Sequence, residues 1–496
     1  MNIFKKKSLC AALAGIGALG AAGAAQAVNL NPDGLGQVLI YPYYTVRTDA
    51  AGHAFNSLLS VVNTTASVKA VKVRFLEGKN SREVLDFNLF LSAKDVWTAA
   101  VVPDTTGGAK VITFDNSCTL PAIPAGGQAF RNALYTADGA GSGLDRTTEG
   151  YVEIIEMTTY FDDQDTAIAA THDSTGVPDC AHVTPSGAAA DATNSAGILG
   201  GLMGGMTLIN VDSGTDYTAD AVALDNFATF DNIYTSPGSL LPDMTFADPP
   251  VSIVIDSFNG GAVISQWAPL GVGALTPDPV SAVLMHDQVM NEYVLDAGTL
   301  SGTDWVVTMP TKRFYVNNGT GAAPKLFQRN FNKTDGSCDD VQLDIYDREE
   351  QTTASPVDFS PPDIHGTAIC WEANVITFNN TNVLGSANFK DIDTDFEHGW
   401  LNLSWFPTNT ETPPARPVHT LVNPDDGGVT TANSFTSIGG GTSTGFGATY
   451  VGLPVVGFAV QSFANGAIHV GTDVVLSNYG GNFVHKGTRR IEFPLP

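Results

Sequence analysis

The chain has 496 residues, of which 24 are Lys or Arg and 51 are Asp or Glu, and its formal net charge at pH 7 is -27. Nucleic acids and anionic lipid surfaces are bound through clustered basic side chains, so this charge argues against both as partners. Only 15% of the residues are charged, whereas 51 are Gly and 27 are Pro. This composition favours a β-rich chain with many turns over a helical cytosolic enzyme.

The N-terminus has the three parts of a secretory signal peptide. Lys5, Lys6 and Lys7 form a basic start, an apolar run follows, and Ala25 and Ala27 supply the small residues of a cleavage site. We therefore expect residues 1–27 to be removed by cleavage after Ala27. The mature protein is then exported to the cell surface, the extracellular medium or the periplasm. No apolar run reaches the ~18 residues that a transmembrane helix needs, so we expect no transmembrane span.

Four cysteines follow the signal peptide, namely Cys118, Cys180, Cys338 and Cys370. An even number of cysteines in an exported chain predicts two disulfides, for which three connectivities exist. Proximity along the chain favours Cys118 with Cys180 and Cys338 with Cys370. Because no two cysteines have the CxxC spacing, we expect neither a structural zinc site nor a thioredoxin-like motif.

Strand patterns dominate the first 100 residues. The segment Gly36–Thr45 is typical of a strand, and Pro42 places it at a sheet edge or at a bulge. Val71–Phe75 and Leu85–Leu91 alternate apolar and polar residues with the period of two that half-buried strands show, and Leu58–Val62 is rich in β-forming residues. The apolar face of such a sheet needs a cover, and the lack of helical pattern nearby favours a second sheet.

The rest of the chain combines strands, two helical patterns and long polar segments. Strands are predicted at 251–255, 262–267, 303–309 and 310–316. Helices are predicted at 219–227 and 280–290. The polar segments, which we interpret as surface loops, are 122–145, 173–197 and 407–447.

Three segments of the first half resemble three segments of the second half, in the same order. Residues 109–117 resemble 373–381, residues 149–157 resemble 398–405, and residues 204–211 resemble 456–463. The shared order suggests two related β-domains.

We therefore predict a mainly β fold with two related Ig-like β-sandwich domains, long polar loop insertions and one or two short helices. The predicted organisation is a first sandwich at 28–235, a hairpin and helical connector at 236–300, and a second sandwich at 301–496.

Few segments of this sequence resemble catalytic or metal-binding motifs. A nucleophile elbow needs a strand before its serine and a helix after it, whereas Ser443, which matches GxSxG, is expected in a low-complexity loop. Asp391, Asp393 and Asp395 begin like an EF-hand loop, but Phe396 stands at the glycine position. These three aspartates are candidate Ca²⁺ ligands, and an exposed acidic turn is the alternative. We predict no catalytic residues and no cofactor other than this candidate Ca²⁺.

Histidines and tryptophans are side chains that contact ligands in many proteins. His286, His398 and His485 have no metal-ligand spacing, so we interpret them as packed or ordinary polar side chains. Tryptophans either line a carbohydrate platform or fill the core, and we favour the core for Trp97, Trp267, Trp305, Trp371, Trp400 and Trp405.

The motifs GQVLIYPYYT, SVVNTT, AVKVRFLEGKNSREVLDFNLFLS with DVWTA, and TDWVVTMPTKRFYV resemble those of a family of secreted Gram-negative bacterial proteins generically labelled cell-surface proteins. The resemblance covers residues 36–100 well, 292–316 fairly, and SNYGGNFVHKGTRR near the C-terminus loosely. It implies export and supplies no catalytic residues. Leu58–Leu91 is also similar in pattern to immunoglobulin-like domains, which bears on architecture alone.

Three functions are consistent with this sequence. The first is a non-enzymatic exported cell-surface or extracellular protein with a structural or adhesive role, which self-associates or contacts a surface partner. The second is a periplasmic or surface module that binds a glycan, a hydrophobic compound or Ca²⁺. The third is a carbohydrate-active enzyme, which carboxylates roughly 5 to 10 Å apart in a cleft would indicate.

Overall fold

The computed structural model describes residues 27–229, 232–256, 261–267, 275–316, 326–352, 368–405, 419–422, 433–437, 442–445 and 448–492. The predicted signal peptide therefore lies outside the described residues, apart from Ala27. Strand accounts for 47% of the structure and helix for 8%, which confirms the mainly β fold.

The strands of the first half form two sheets. Sheet A has the strand order β1-β13-β2-β10-β4-β5-β8, and sheet B has the order β12-β11-β3-β6-β7-β9. The strands are β1 (Asn29–Leu30), β2 (Val38–Thr45), β3 (Asn56–Asn63), β4 (Lys69–Glu77), β5 (Glu83–Leu91), β6 (Val96–Pro103), β7 (Ala109–Ile112), β8 (Cys118–Leu120), β9 (Gln128–Ala129), β10 (Glu149–Thr159), β11 (Leu202–Asn210), β12 (Thr215–Asp220) and β13 (Val222–Asp225).

The second half contains sheet C, with the order β23-β22-β18-β30-β31, and sheet D, with the order β20-β24-β17-β32. Smaller sheets are β14-β15-β26-β27, β25-β28-β33, β16-β29 and β19-β21. The strands are β14 (Val251–Ile255), β15 (Gly261–Gln266), β16 (Met285–His286), β17 (Gln288–Val294), β18 (Gly302–Thr308), β19 (Asp339–Asp340), β20 (Gln342–Asp347), β21 (Ala368–Ile369), β22 (Ala373–Phe378), β23 (Phe389–Ile392), β24 (His398–Ser404), β25 (Thr420–Val422), β26 (Asn433–Ser437), β27 (Thr442–Gly445), β28 (Thr449–Val451), β29 (Leu453–Pro454), β30 (Val456–Val470), β31 (Asp473–Val484), β32 (Lys486–Thr488) and β33 (Arg490–Glu492).

Helices are short and more numerous than the one or two that we expected. The described residues contain a 3₁₀ helix at Leu144–Thr148 and α1 (Asp165–Ala170), α2 (Pro185–Ala192), α3 (Asp278–Leu284) and α4 (Lys312–Val316). Among these described helices, none combines the length and the apolar character needed to cross a bilayer.

Sheets A and B pack face to face because alternate residues of each are apolar. Val71, Val73 and Phe75 of β4 share one hydrophobic cluster with Leu59 of β3 and Trp97 of β6. The β4-β5 hairpin lies in sheet A and β3 lies in sheet B. The pattern at 58–91 therefore supplies strands to both layers of a β-sandwich.

Sheet A is also covered on its other face. Ile40, Leu76 and Ile155 belong to a second cluster, which contains Trp305 of sheet C and Leu401 of sheet D. Sheets C and D pack on each other in turn, and the rings of Tyr293 and Phe378 stack with centroids 5.0 Å apart. The two halves therefore share hydrophobic clusters, while the domain boundaries predicted above stay a prediction.

Strand β2 is central, so of the two positions expected from Pro42, a sheet edge or a bulge, the structure shows the bulge. It lies between β13 and β10, and all of its residues are buried. The register with β10 shifts between Tyr41 and Tyr44. This shift is the bulge that Pro42, which has no N–H to donate, requires inside a sheet.

Two local predictions were wrong for identifiable reasons. The segment 219–227 is not helical, because Tyr217 and Ala219 of β12 face the core while Thr218 and Asp220 face outward, which is a period of two. The segment 310–316 is not a strand, because Pro310 directly precedes the turn of helix α4. The helix predicted at 280–290 ends at Leu284 and continues as strands.

Both predicted disulfides are present, joining Cys118 to Cys180 and Cys338 to Cys370. The strands that contain the proposed repeats occupy comparable layers. In the first half, β7 and β11 lie in sheet B and β10 lies in sheet A; in the second half, β22 and β30 lie in sheet C and β24 lies in sheet D. The internal repeat itself stays a prediction.

Paired charges line the face of sheet A that meets the second half of the chain. Arg74 contacts Glu153 at 2.5 Å and Glu83 at 2.8 Å, and Lys72 contacts Asp86 at 2.5 Å. Arg74 and Glu153 are both at most 1% exposed. Burying a charge costs several kcal/mol unless a partner compensates it, so these pairs are needed for sheet A to be covered on this face.

We predict that Arg74→Met lowers the free energy of unfolding by about 3 to 5 kcal/mol, because Glu153 and Glu83 keep their buried carboxylates without the shared partner. Urea unfolding followed by circular dichroism measures this loss. The control is Arg490→Met, whose pair with Glu492 is about half exposed and should change stability by less than about 1 kcal/mol. Equal losses in the two variants would contradict the prediction.

Candidate functional site

The outer face of sheet B carries a groove with a volume of about 1070 Å³. Strand β3 shows how it arises: Leu59 and Val61 face the core, whereas Leu58, Ser60 and Val62 line the groove. This strand is therefore largely apolar on both faces, although only its inner face is covered within the described parts of the chain. An exposed apolar surface of this kind marks interaction sites in many proteins.

A row of small residues forms the floor of the groove. Gly205 pairs with Asp220 on one side and with Ser60 on the other, and Ser60 pairs with Thr98. The row thus crosses β12, β11, β3 and β6 at right angles to the strands. Three interstrand spacings give it a length of roughly 14 Å.

Rows that contain larger apolar side chains flank the floor on both sides. Met203 and Val62 are cross-strand neighbours on one side of the floor. On the other side, consecutive cross-strand neighbours are Thr207, Leu58, Ala100 and Ile112. Because Gly205 and Ser60 are short, the side chains of Leu58 and Ile112 on one side and of Met203 and Val62 on the other stand above the floor. The sheet surface therefore becomes a groove instead of a flat face.

Two adjacent glycines in β11 serve different purposes. At Gly204 a Cβ atom would lie 2.2 Å from the hydroxyl oxygen of Tyr41, which donates a hydrogen bond to the Ser60 carbonyl at 2.8 Å. Gly204 therefore admits Tyr41 beneath the sheet. Gly205 lines the groove and keeps the floor low beside Ser60.

The groove is accessible along its length. Phe114 is 92% exposed, and Leu58 and Met203 are each 43% exposed. Asp33 and Asp220 are the charged residues that line it, and both are carboxylates. The site therefore combines an apolar channel with negative charge and disfavours an anionic ligand.

A smaller cavity of about 150 Å³ contains two of the histidines singled out in the sequence, His286 and His485. Burial lowers the pKa of His286 to about 3 and that of His485 to about 4. His286 Nδ1 lies 3.0 Å from the Leu284 carbonyl oxygen, and His485 Nε2 lies 2.9 Å from the Val306 carbonyl oxygen. The other ring nitrogen of His485, Nδ1, lies 3.1 Å from the side-chain amide nitrogen of Asn291. Both side chains are therefore neutral packed histidines at pH 7, as we interpreted them.

Glu372 carries a buried carboxyl group. Ser81 donates a hydrogen bond to Glu372 Oε2 at 2.6 Å, and the Arg313 backbone N–H donates at 3.2 Å. Burial raises the pKa of Glu372 to about 8, against the smaller opposing effects of Ser81, Lys312 and Arg313. Glu372 lines neither the groove nor the cavity of His286 and His485. Its contacts with Ser81 connect the two halves of the chain.

The candidate Ca²⁺ ligands are not gathered around a point. Asp391 accepts a hydrogen bond from the Asn380 backbone N–H at 2.7 Å, while Asp393 and Asp395 are exposed. Within the described ranges, no three His, Cys, Asp or Glu side chains are grouped so that they hold a metal ion. Calcium binding stays a prediction that this geometry does not support.

The tryptophans divide between core and surface. Trp97, Trp305 and Trp405 are fully buried and Trp267 nearly so, which agrees with the core interpretation. Trp400 differs, since it is 40% exposed. Ser443 of the GxSxG motif lies in strand β27, paired with β26, and not in the loop that we expected.

Sequence analysis did not identify the groove residues. The pattern that could have indicated them is Leu58–Val62, which has apolar residues on both faces of the strand. A strand at the surface normally has one polar face. No protein-family model, curated protein or solved structure matches the chain. The resemblance to secreted cell-surface proteins therefore stays a hypothesis.

We predict that Glu372 makes the native state less stable as pH rises from about 4.5 to about 8, because the folded protein retains a proton that the unfolded chain has released. Glu372→Gln keeps an acceptor for Ser81 and removes this titration. As the pH rises across that range, the unfolding free energy of the wild type should therefore fall relative to that of Glu372→Gln. Urea unfolding at several pH values measures it, with the exposed Glu492→Gln as the control. A constant difference would contradict the prediction.

Proposed function

We propose that this chain is a non-enzymatic exported protein that binds an elongated apolar ligand, such as a compound with an acyl chain, in the groove of sheet B. The observation that carries the proposal is the floor of Gly205, Ser60 and Thr98 between two apolar walls on an exposed sheet face. Of the three functions considered from the sequence, this geometry favours the ligand-binding module.

The dimensions of the groove support a small ligand. Its volume of about 1070 Å³ is slightly larger than the roughly 300 to 1,000 Å³ that small-molecule sites usually occupy, so a ligand of that class fits within it. Covering the exposed parts of Leu58 and Met203 is favourable at about 25 cal/mol for each Å² of apolar surface removed from water. The strands that hold these side chains are rigid, so little ordering opposes binding.

The charged residues indicate which end group the ligand has. Asp220 stands at the β12 end of the floor, and Asp33 also lines the groove. An anionic head group would be repelled by both carboxylates, whereas an alcohol, ester or amine would be accepted. We therefore infer a neutral or cationic amphiphile.

Export is proposed on the signal-peptide pattern and is supported by the two disulfides, since disulfides persist in oxidising compartments. A structural or adhesive role at the cell surface remains the second candidate from the sequence, and fractionation separates the two. Large assemblies in surface or medium fractions would favour the structural role, whereas a dispersed protein would favour ligand binding.

We predict that the protein recovered from its native host begins at Val28. N-terminal sequencing of the surface, medium and periplasmic fractions checks this, because removal of residues 1–27 is the expected result of export. A cytoplasmic protein that retains Met1 would contradict the proposal of export.

We predict that Ser60→Phe abolishes most of the binding of an apolar probe, because the ring fills the floor of the groove. Titration with N-phenyl-1-naphthylamine, which fluoresces in apolar surroundings, should show at least about a tenfold increase in Kd, or ~1.4 kcal/mol. The control is Ser142→Phe, which adds the same ring to an exposed loop. Unchanged affinity in Ser60→Phe, with the fold intact by circular dichroism, would contradict the proposal.

A further inference from the structure

The outer face of sheet D differs in chemistry from the groove. Its inner face packs through Leu401 and Leu403 of β24 and Val289 and Tyr293 of β17, which belong to the shared hydrophobic cluster. Strand alternation therefore turns the intervening residues outward. Most of these outward residues are aromatic or polar, although Met290 and Val294 of β17 are apolar.

One outward row consists of Tyr346, Trp400 and Glu292, which are cross-strand neighbours on β20, β24 and β17. The rings of Tyr346 and Trp400 stack at a centroid distance of 4.6 Å and an interplanar angle of 13°. Tyr346 thus covers one face of the indole. On the other side of Trp400 is Glu292, an exposed side chain.

The exposure of Trp400 is unusual for this protein. It is 40% exposed, whereas Trp97, Trp305 and Trp405 are fully buried. A stacked neighbour holds an exposed indole in a defined orientation, with part of its apolar surface in water. A ligand that covers this surface gains binding free energy without the entropy cost of ordering a mobile side chain.

Hydrogen-bonding side chains adjoin the ring pair in the next rows. Asn402 pairs with Asp344 across the strands, and its Nδ2 lies 3.4 Å from Asp344 Oδ2. Gln342 Nε2 donates to Asp344 Oδ1 at 3.0 Å. Amides and carboxylates offer both donors and acceptors, which is what a polyhydroxylated ligand requires.

We propose that the outer face of sheet D binds a neutral oligosaccharide, with a sugar ring against Trp400 and its hydroxyls on Glu292 and Asp344. A sugar ring has apolar C–H faces and a polar rim, and this face of sheet D places an exposed ring beside hydrogen-bonding groups in the same way. Glu292 and Asp344 disfavour uronic or sulfated sugars by charge. This site is on a different sheet from the groove and does not rest on the proposed apolar ligand.

Affinity electrophoresis through gels that contain dextran, laminarin, xylan or mannan tests the proposal, with alginate as the anionic comparison. We expect at least one neutral polysaccharide to retard the wild type and alginate to have no effect. Trp400→Ala should raise the Kd for that polysaccharide at least about tenfold, and Trp400→Phe should retain part of the affinity. Tyr479→Ala is the control, because it removes a 57% exposed aromatic ring from sheet C.

Two results would overturn the proposal. One is a wild type that none of the four neutral polysaccharides retards. The other is equal retardation of the wild type and Trp400→Ala. A circular dichroism spectrum of Trp400→Ala that matches the wild type confirms that the variant is folded. Because this control does not depend on the groove, a failure of the oligosaccharide proposal stays distinct from a failure of the proposed apolar site.

Discussion

Sheet A is covered on both faces, and the rest of the structure depends on this constraint. One face meets sheet B through apolar residues such as Val73. The other face meets the second half of the chain and carries Lys72 and Arg74, whose charges must be compensated by Asp86, Glu83 and Glu153. Only the observed register of β4, β5 and β10 brings these partners together. The same register determines which face of sheet A is apolar. Sheet B packs on that face, and the groove lies on the outer side of sheet B.

The two proposed binding surfaces follow from the same alternation of side chains. Inward residues of sheets B and D hold the sandwiches together, which leaves the outward residues available for other purposes. On sheet B these residues are aliphatic or small, as at Leu58 and Gly205, and they form a channel for an apolar chain. On sheet D many of them are aromatic or polar, as at Trp400 and Asn402. Sites on strands have more fixed geometry than sites on loops, because the hydrogen-bonded ladder positions their side chains.

The sequence predicted what depends on local pattern and on pairing of near neighbours. The period of two at 71–91 and the two disulfides belong to this class. It could not show that Lys72 and Arg74, which look like a solvent face, are buried against acids from β5 and β10. Nor could it decide whether Pro42 lies at a sheet edge or at a bulge, because that depends on which strands pair with β2. The groove could not be predicted from the sequence for the same reason. Its floor combines Ser60, Thr98 and Gly205, which are distant in the chain and become neighbours only through strand pairing.

The most direct measurement is a crystal structure of the protein grown with bromododecanol, in which anomalous scattering locates the bromine. We expect the alkyl chain to lie over Gly205, Ser60 and Thr98, with its hydroxyl near Asp220. Bromine sites confined to other surfaces, at a concentration that displaces the fluorescent probe, would contradict the proposal that the groove is the binding site.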